Sequence, residues 1–435
     1  MDDMIRKKIK AMLPAMIACR RDLHKHPEPG WTEFRTASLA IRKMKELGYT
    51  ITMGKDAVSV DHMMGVPSPE QLKKEQERAV RQGADPDLIP AMEGGLTGFW
   101  ADMTFNGGPG PRFAFRYDMD SNDVQETNDP EHVPNREGFA SINPKAMHAC
   151  GHDGHVTIAL AVAEILAGMK DQLKGSVRFI FQPAEEGVRG AAPMVEAGCV
   201  DGVDIILGTH IGFMAEKKGY LVCGTDGFLA TTKWDVEITG KGAHAGAAPQ
   251  EGKNALLAAC AATTNLHAIS RHGDGVTRIT VGRLIGGQGR NIIPPDAFMS
   301  LETRGATSEL DAYMTTEATR IIKAASDMWG CNHVIKVMGG TKGGQSTPSM
   351  VKRVAEVART IPEFTHIIDE SVDFGASEDY SHMMSTVQKN GGIGNYIQVG
   401  TNRKAGHHND HFDFEEDDLA PGAEIAVKVA VSYLS

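Results

Sequence analysis

Ile5, Ile9, Met12, Met16 and Leu23 recur at helical spacing between basic residues. That pattern predicts an amphipathic helix over 4–26, stopped by His26-Pro27-Glu28-Pro29-Gly30. A second helix is expected over 32–47, closed by Gly48. Residues 55–97 then break the rhythm with a Pro-rich turn at Val66-Pro67-Ser68-Pro69, a charged helical piece over 70–82 and a glycine-rich exit at Gly94-Gly95. This stretch reads as an insertion laid on the surface. Further on, strand and helix patterns alternate: strands over 112–117, 176–181 and 204–208, an apolar helix over 156–170 and a short helix ending at Gly198. The alternation predicts an α/β layer with a largely parallel sheet. Each of the three strands runs into polar, ligand-type residues, and the carboxyl ends of such strands are where an active centre is expected.

The pattern changes near Asp226. Strands over 230–239, 276–284, 297–304 and 333–338, with helices over 252–271 and 308–328, give the order of a small split sheet-and-helix module. After Gly339-Gly340 the chain returns to a helix over 349–360, a charged loop, a strand over 396–399 and a last helix over 417–433. The expected plan is a catalytic domain in two parts, 1–225 and 341–435, interrupted by an inserted domain over 226–340.

At 435 residues the chain exceeds one ordinary core, which agrees with two domains. A net charge of -11 argues against nucleic acid or an anionic membrane as partner. The longest apolar run, over 158–168, is too short to span a bilayer and is broken by Glu164. The start, Met-Asp-Asp-Met-Ile-Arg-Lys-Lys, leads into no apolar signal segment, and the six cysteines form no evident framework. A cytoplasmic protein is expected.

The densest chemistry lies in Met147-His148-Ala149-Cys150-Gly151-His152-Asp153-Gly154-His155. On an extended backbone Cys150 and His152 would leave from one face, a thiolate and an imidazole suited to zinc or a similar divalent ion. The alternative is a histidine-rich turn. Glu186, His210 and one histidine of His407-His408 are further candidates at strand ends and loops. Divalent metal held there would strongly acidify a nearby water. If Glu185 and Glu186 continue a strand, one can ligate while the other takes a proton from that water and passes it to a leaving amine. Otherwise they form a solvated turn. Asp118 is expected either to fix a ligating imidazole or to cap its strand.

His148-x-Cys150-Gly151-His152-Asp153-x-His155, Gln182-Pro183-Ala184-Glu185-Glu186-Gly187 and Gly406-His407-His408-Asn409-Asp410-His411-Phe412 resemble motifs of the aminoacylase/carboxypeptidase family of metal-dependent amidohydrolases. The opening His24-x-x-Pro27-Glu28-x-Gly30-x-x-Glu33-x-x-Thr36 is similar to that family's first signature. So are Gly242-Ala243-His244-Ala245-Gly246 and Asn291-Ile292-Ile293-Pro294. The resemblance implies a zinc-peptidase-like α/β domain with a small α+β, ferredoxin-like lid that dimerises. It implies two divalent ions per chain, manganese or zinc, on Cys150, His152, Glu186, His210 and His408. His408 is preferred to His407 because the family spacing His-x-x-x-Phe ends at Phe412.

By the same resemblance Glu185 is the acid/base, His244 steadies the oxyanion in a neighbouring subunit's site, and Asn291 and Arg304 bind polar groups of the substrate. The 55–97 insertion, Phe139-Ala140-Ser141 and Ala230-Thr231-Thr232-Lys233 look like the subgroup that hydrolyses 4-aminobenzoyl-glutamate. That implies an N-aroyl amino acid substrate and either a homodimer or a homologous second subunit. Other N-acyl amino acids, N-acetyl or indole-acyl, are the nearest alternative, and a non-catalytic ligand-binding subunit is a more distant one. One departure stands out: Asp120-Ser121-Asn122-Asp123 replaces the Asp-Ala-Leu-Pro common among related amidohydrolases.

Overall fold

The structure, a computed structural model, describes residues 2–435 and divides into two compact units. The first takes in the chain up to Asp226 together with Gln345–Phe374 and Asp379–Ser435. The second comprises Gly227–Gly344 and the short return Gly375–Glu378. That return is tied to the second unit by the Leu229 amide donating to the Ala376 carbonyl at 2.9 Å.

The first unit is built on an eight-stranded mixed sheet. Its strands are β1 (Thr50–Met53), β2 (Phe99–Thr104), β3 (Arg112–Asp118), β4 (Ser176–Gln182), β5 (Ile205–Ile211) and β6 (Tyr220–Asp226). The second unit supplies β7 (Ala230–Thr239), β8 (Thr277–Gly286), β9 (Asp296–Gly305) and β10 (Asn332–Thr341) to a sheet of its own. β11 (His366–Asp373) and β12 (Ile393–Val399) complete the first sheet, in the order β1-β2-β4-β3-β5-β12-β6-β11. Its four central strands, β4, β3, β5 and β12, run parallel and are buried almost throughout. Burial on both faces explains their apolar content, such as Phe113, Phe115, Val177, Phe179 and Phe181. Phe99 stacks on Phe181 with centroids 4.5 Å apart, fixing the antiparallel β2 against β4.

The helices Asp2–Lys25, His152–Ala167 and Leu419–Leu434 share one hydrophobic core with this sheet. Ile5, Ile9, Met16 and Leu23, the positions whose spacing predicted the first helix, are buried there beside Ile158, Val162 and Ile425. Each such side chain contributes about 1.5–3 kcal/mol on burial.

The structure differs from the sequence expectation in several places, and β1, β2 and β6 lie where no strand is expected. The helix after the metal loop begins at His152, because Gly151 turns the chain with a φ of 89° immediately before it. Cys150 and His152 therefore do not share an extended strand. β11 and a helix, Tyr380–Lys389, lie where a charged loop and little else was expected. β11 is an edge strand, so its Asp369 and Glu370 face solvent and blur any hydrophobic alternation.

The second unit has strand order β10-β7-β9-β8, all antiparallel, with helices Ala255–His267 and Ser308–Met328 packed on it. Ala297, Met299 and Leu301 alternate inward along β9. Side-chain caps at Asn254 and Thr307 begin the two helices. The strand–helix–strand–strand–helix–strand order and this sheet order make a ferredoxin-like arrangement. No helix among the described residues is long and apolar enough to cross a membrane.

Candidate metal centre and catalytic turn

The carboxyl ends of β3, β4 and β5 meet the loop that precedes helix His152–Ala167, and the candidate ligands converge there. Cys150 Sγ lies 3.6 Å from His210 Nε2, and His408 Nε2 lies 3.3 Å from Glu186 Oε1. Donor atoms of Cys150, His152 and His210 fall within 4.8 Å of one another, as do those of Cys150, Glu186 and His408. The two groups share Cys150. A third group joins His152, Glu185 and Glu186 within the same limit. One thiol, three imidazoles and a carboxylate converging in this way fit divalent metal.

The imidazoles are oriented by what their other nitrogens touch. His210 donates from Nδ1 to the Ile211 carbonyl at 2.8 Å, and His152 donates from Nδ1 to the Asp120 carbonyl at 2.8 Å. Both therefore present Nε2 to the centre. Burial, and next the neighbouring His155 and His407, hold His210 well below the usual imidazole range, so it is neutral. At His152 burial opposes the charge, but Asp118, Asp120 and Glu186 outweigh it and raise the imidazole to about 10. An ion binding there displaces a proton.

Asp118 sits less as expected. Its Oδ1 accepts the Nδ1 proton of His155 at 2.6 Å and stands 3.7 Å from Nδ1 of His152. His155 in turn accepts the Ile211 amide proton at Nε2, 2.9 Å away, so it fixes the strand end next to His210. Arg116 closes the other side of Asp118 at 2.7 Å. Burial opposes ionisation of Asp118, but His152, His155 and Arg116 outweigh it and keep the carboxyl well below the usual range.

His407 and His408 separate clearly. His407 is turned into the protein, with Arg403 Nη1 at 2.7 Å from its Nδ1 and the Ile211 carbonyl 3.1 Å from its Nε2. Its ring stacks on Phe213 with centroids 4.2 Å apart. His408 takes a left-handed conformation, φ 64°, and its ring reaches Glu186.

Glu185 and Glu186 do not continue a strand either. Ala184 (φ 48°) and Gly187 (φ 94°) bracket them in a tight turn. Their amides donate to the two carboxylate oxygens of Asp120, each at 3.0 Å. Asn122, in the departing segment, accepts the Ala149 amide at 3.1 Å and holds the metal loop from behind. Asp120 and Asn122 were legible only as motif letters; besides acting on His152 and Glu186, they hold backbone amides.

His244 and Asn291 come together within the second unit: the Ala245 amide donates to the Asn291 carbonyl at 3.0 Å. The exposed His244 ring accepts the Gly246 and Ala247 amides at Nδ1, at 3.1 and 3.0 Å, which leaves the proton on Nε2 as an outward donor. Arg304 instead forks onto Glu302 at 2.8 and 3.2 Å.

The model of peptidase family M20/M25/M40 matches residues 114–432, which include every candidate ligand. The chain belongs to that family. Indole-3-acetyl-aspartic acid hydrolase of Enterobacter agglomerans is 44% identical over 98% of this chain and 97% of its own length. One subunit of the p-aminobenzoyl-glutamate hydrolase of Escherichia coli K12 is 42% identical over the same shares. An aminobenzoyl-glutamate utilization protein from Klebsiella pneumoniae superposes with a TM-score of 0.85 at 37% identity, covering 99% of this chain and 98% of that one. The M20 protein described here is a metal-dependent amidohydrolase of the carboxypeptidase type, and its mixed, largely parallel sheet agrees with the expectation from alternating strands and helices.

Proposed function

We propose that this enzyme cleaves the amide of an N-aroyl amino acid, with 4-aminobenzoyl-glutamate as substrate, using two divalent ions, manganese or zinc. The observation that carries the reading is the pair of ligand groups sharing Cys150, with Glu185 beside them in the group containing His152 and Glu186. Ions held by Cys150, His152, Glu186, His210 and His408 would polarise the amide carbonyl and acidify a water. Glu185 takes the water's proton and returns it to the leaving amine. The Nε2 proton of His244, contributed by a partner chain, steadies the carbonyl oxygen as it gains charge. Asn291 and Arg304 bind polar groups of the substrate; Arg304 must first leave Glu302. Asp118 acts through His155 and the end of β5 rather than on substrate.

A second reading is favoured by the 44% relative, namely an indole-acyl aspartate as substrate. Purified chain loaded with manganese or zinc distinguishes them: rapid glutamate release from 4-aminobenzoyl-glutamate is expected. Faster aspartate release from indole-3-acetyl-aspartate would replace the first reading with the second. Absence of both activities with metal bound would point to a missing partner subunit or a different acyl group, whereas a chain that binds no divalent ion would favour a non-catalytic subunit.

The name of the Escherichia coli relative marks it as one member of a multi-subunit assembly. Here a homodimer through the second unit, or a homologous second subunit, is proposed. Ile285 on β8 and Val334 on β10, exposed on the sheet face that the helices leave open, support such a contact. A thiolate ligand at Cys150 suits a reducing, cytoplasmic setting.

The two adjacent histidines give a direct check. His408→Ala is expected to leave about one ion per chain and cost more than the ~10–100-fold typical of outer partners. His407→Ala should keep both ions. Metal analysis showing the reverse would move the ligand to His407.

A further inference from the structure

The turn that carries Glu185 and Glu186 has backbone bonds of its own, the Val188 amide to the Glu185 carbonyl at 2.6 Å and the Arg189 and Gly190 amides to the Ala184 carbonyl at 3.1 Å, and it is further held by carboxylates from distant parts of the chain. Glu33 Oε1 accepts the Ala184 amide at 2.8 Å, and Asp120 accepts those of Glu185 and Glu186. Asp379 Oδ2 accepts those of Gly190 and Ala191 at 3.1 and 3.0 Å. All three acids are fully buried. The turn needs this hold, because Ala184 and Val188 are non-glycine residues at φ 48° and 59°. An L-residue stays in that region only where its surroundings over-determine it.

Glu33 is placed for this by its own partners. Its Oε1 also accepts the Trp31 amide at 3.0 Å, and its Oε2 accepts the Thr97 hydroxyl at 2.6 Å. Thr97 closes the insertion over 55–97, and Arg189 ties the far side of the turn back to that insertion through the Gly65 carbonyl at 2.9 Å. The opening signature and the insertion thus meet at one carboxylate beneath the catalytic turn.

We propose that Glu33 is a positioning residue for hydrolysis: by holding Ala184 in its left-handed conformation it sets the directions in which Glu185 and Glu186 leave the turn. Asp120 fixes where those two amides lie. Glu33 fixes the peptide before them, whose rotation would swing both side chains. This rests on the assignment of Glu185 as acid/base.

The test uses metal-loaded enzyme with Glu33→Ala, Glu33→Gln and Glu33→Ala/Ala184→Gly. Glu33→Ala is expected to lower kcat by ~10–100-fold with KM changed by only a few-fold. Amide exchange should speed up in residues 184–186 and not across the molecule. Glutamine can accept the same two amides and donate to Thr97, so Glu33→Gln should recover kcat to within a few-fold. Glycine tolerates positive φ, so Ala184→Gly should recover part of the loss in the double variant. If Glu33→Ala does not fold, Glu33→Asp, whose shorter carboxylate retracts from the Ala184 amide, carries the same expectations.

Unchanged kcat in Glu33→Ala or Glu33→Asp would overturn the proposal, as would an equal loss in Glu33→Gln. Glu185→Ala measured in parallel separates the two ideas. Full turnover there sinks the role of Glu185, while amide exchange at 184–186 still decides whether Glu33 holds the turn.

Discussion

Glu185→Ala is expected to lower kcat by about two to four orders of magnitude, the range for losing a positioned general acid/base. Both ions should remain. The five ligand candidates lie on other side chains, and the amides of residues 185 and 186 keep their bonds to Asp120 whatever the side chain at 185. The loss should appear in kcat and in kcat/KM alike, because the proton moves only during reaction. Metal analysis with steady-state kinetics checks this. Turnover within tenfold of the parent, with metals retained, would mean that another group carries the proton.

Arg20→Ala is expected to cost about 3–5 kcal/mol of stability, the penalty for stripping one partner from a buried ion pair. The guanidinium is fully buried and donates to Asp153 at 2.9 Å, Asp413 at 2.7 Å and Glu416 at 3.3 Å. It also lies 4.5 Å above the ring of Phe414. Without it Asp413 is left a buried, uncompensated anion, and Asp153 keeps only His24, 2.8 Å away, against its charge. Asp153 follows His152 and accepts the Gly154 amide at 2.9 Å, so the start of the helix that carries His152 should loosen too. Thermal and denaturant unfolding of the first unit report the loss. A change below about 1 kcal/mol would show that the acids recover by protonation or hydration.

The same cluster sets a pH window. Burial opposes the Glu126 anion, but hydrogen bonds from His132 and His24 outweigh it and lower the acid to about 2. Its stabilisation is present above the ordinary glutamate value and lost as pH falls toward 2. Burial and Arg20 oppose the His24 cation, but Asp153 and Glu126 outweigh them and raise it to about 9. That contribution is full below the ordinary histidine value and lost as pH rises through 9. Melting temperatures should therefore decline at both ends of that range.

The chain's periodicities determine much of this protein on their own. Ile5, Ile9, Met16 and Leu23 define a buried helix face, the apolar runs over 112–117 and 176–181 define central strands, and the 230–338 pattern defines a split module. These are local rules, and each residue's neighbours carry them. The ligand candidates are legible for a related reason: cysteine, histidine and glutamate clustered at strand ends have few other uses.

What only the tertiary structure decided is how those residues are aimed. Gly151 breaks the extended geometry that would have put Cys150 and His152 on one face, and the Ala184 turn does the same for Glu185 and Glu186. His407 is withdrawn by Arg403 and Ile211 while His408 meets Glu186. Glu33, Asp120 and Asp379 hold backbone amides many residues away. A carboxylate bonding a distant amide imposes no period on the sequence and asks for no particular residue at the amide. Such contacts leave no local trace, and folding alone brings them into being.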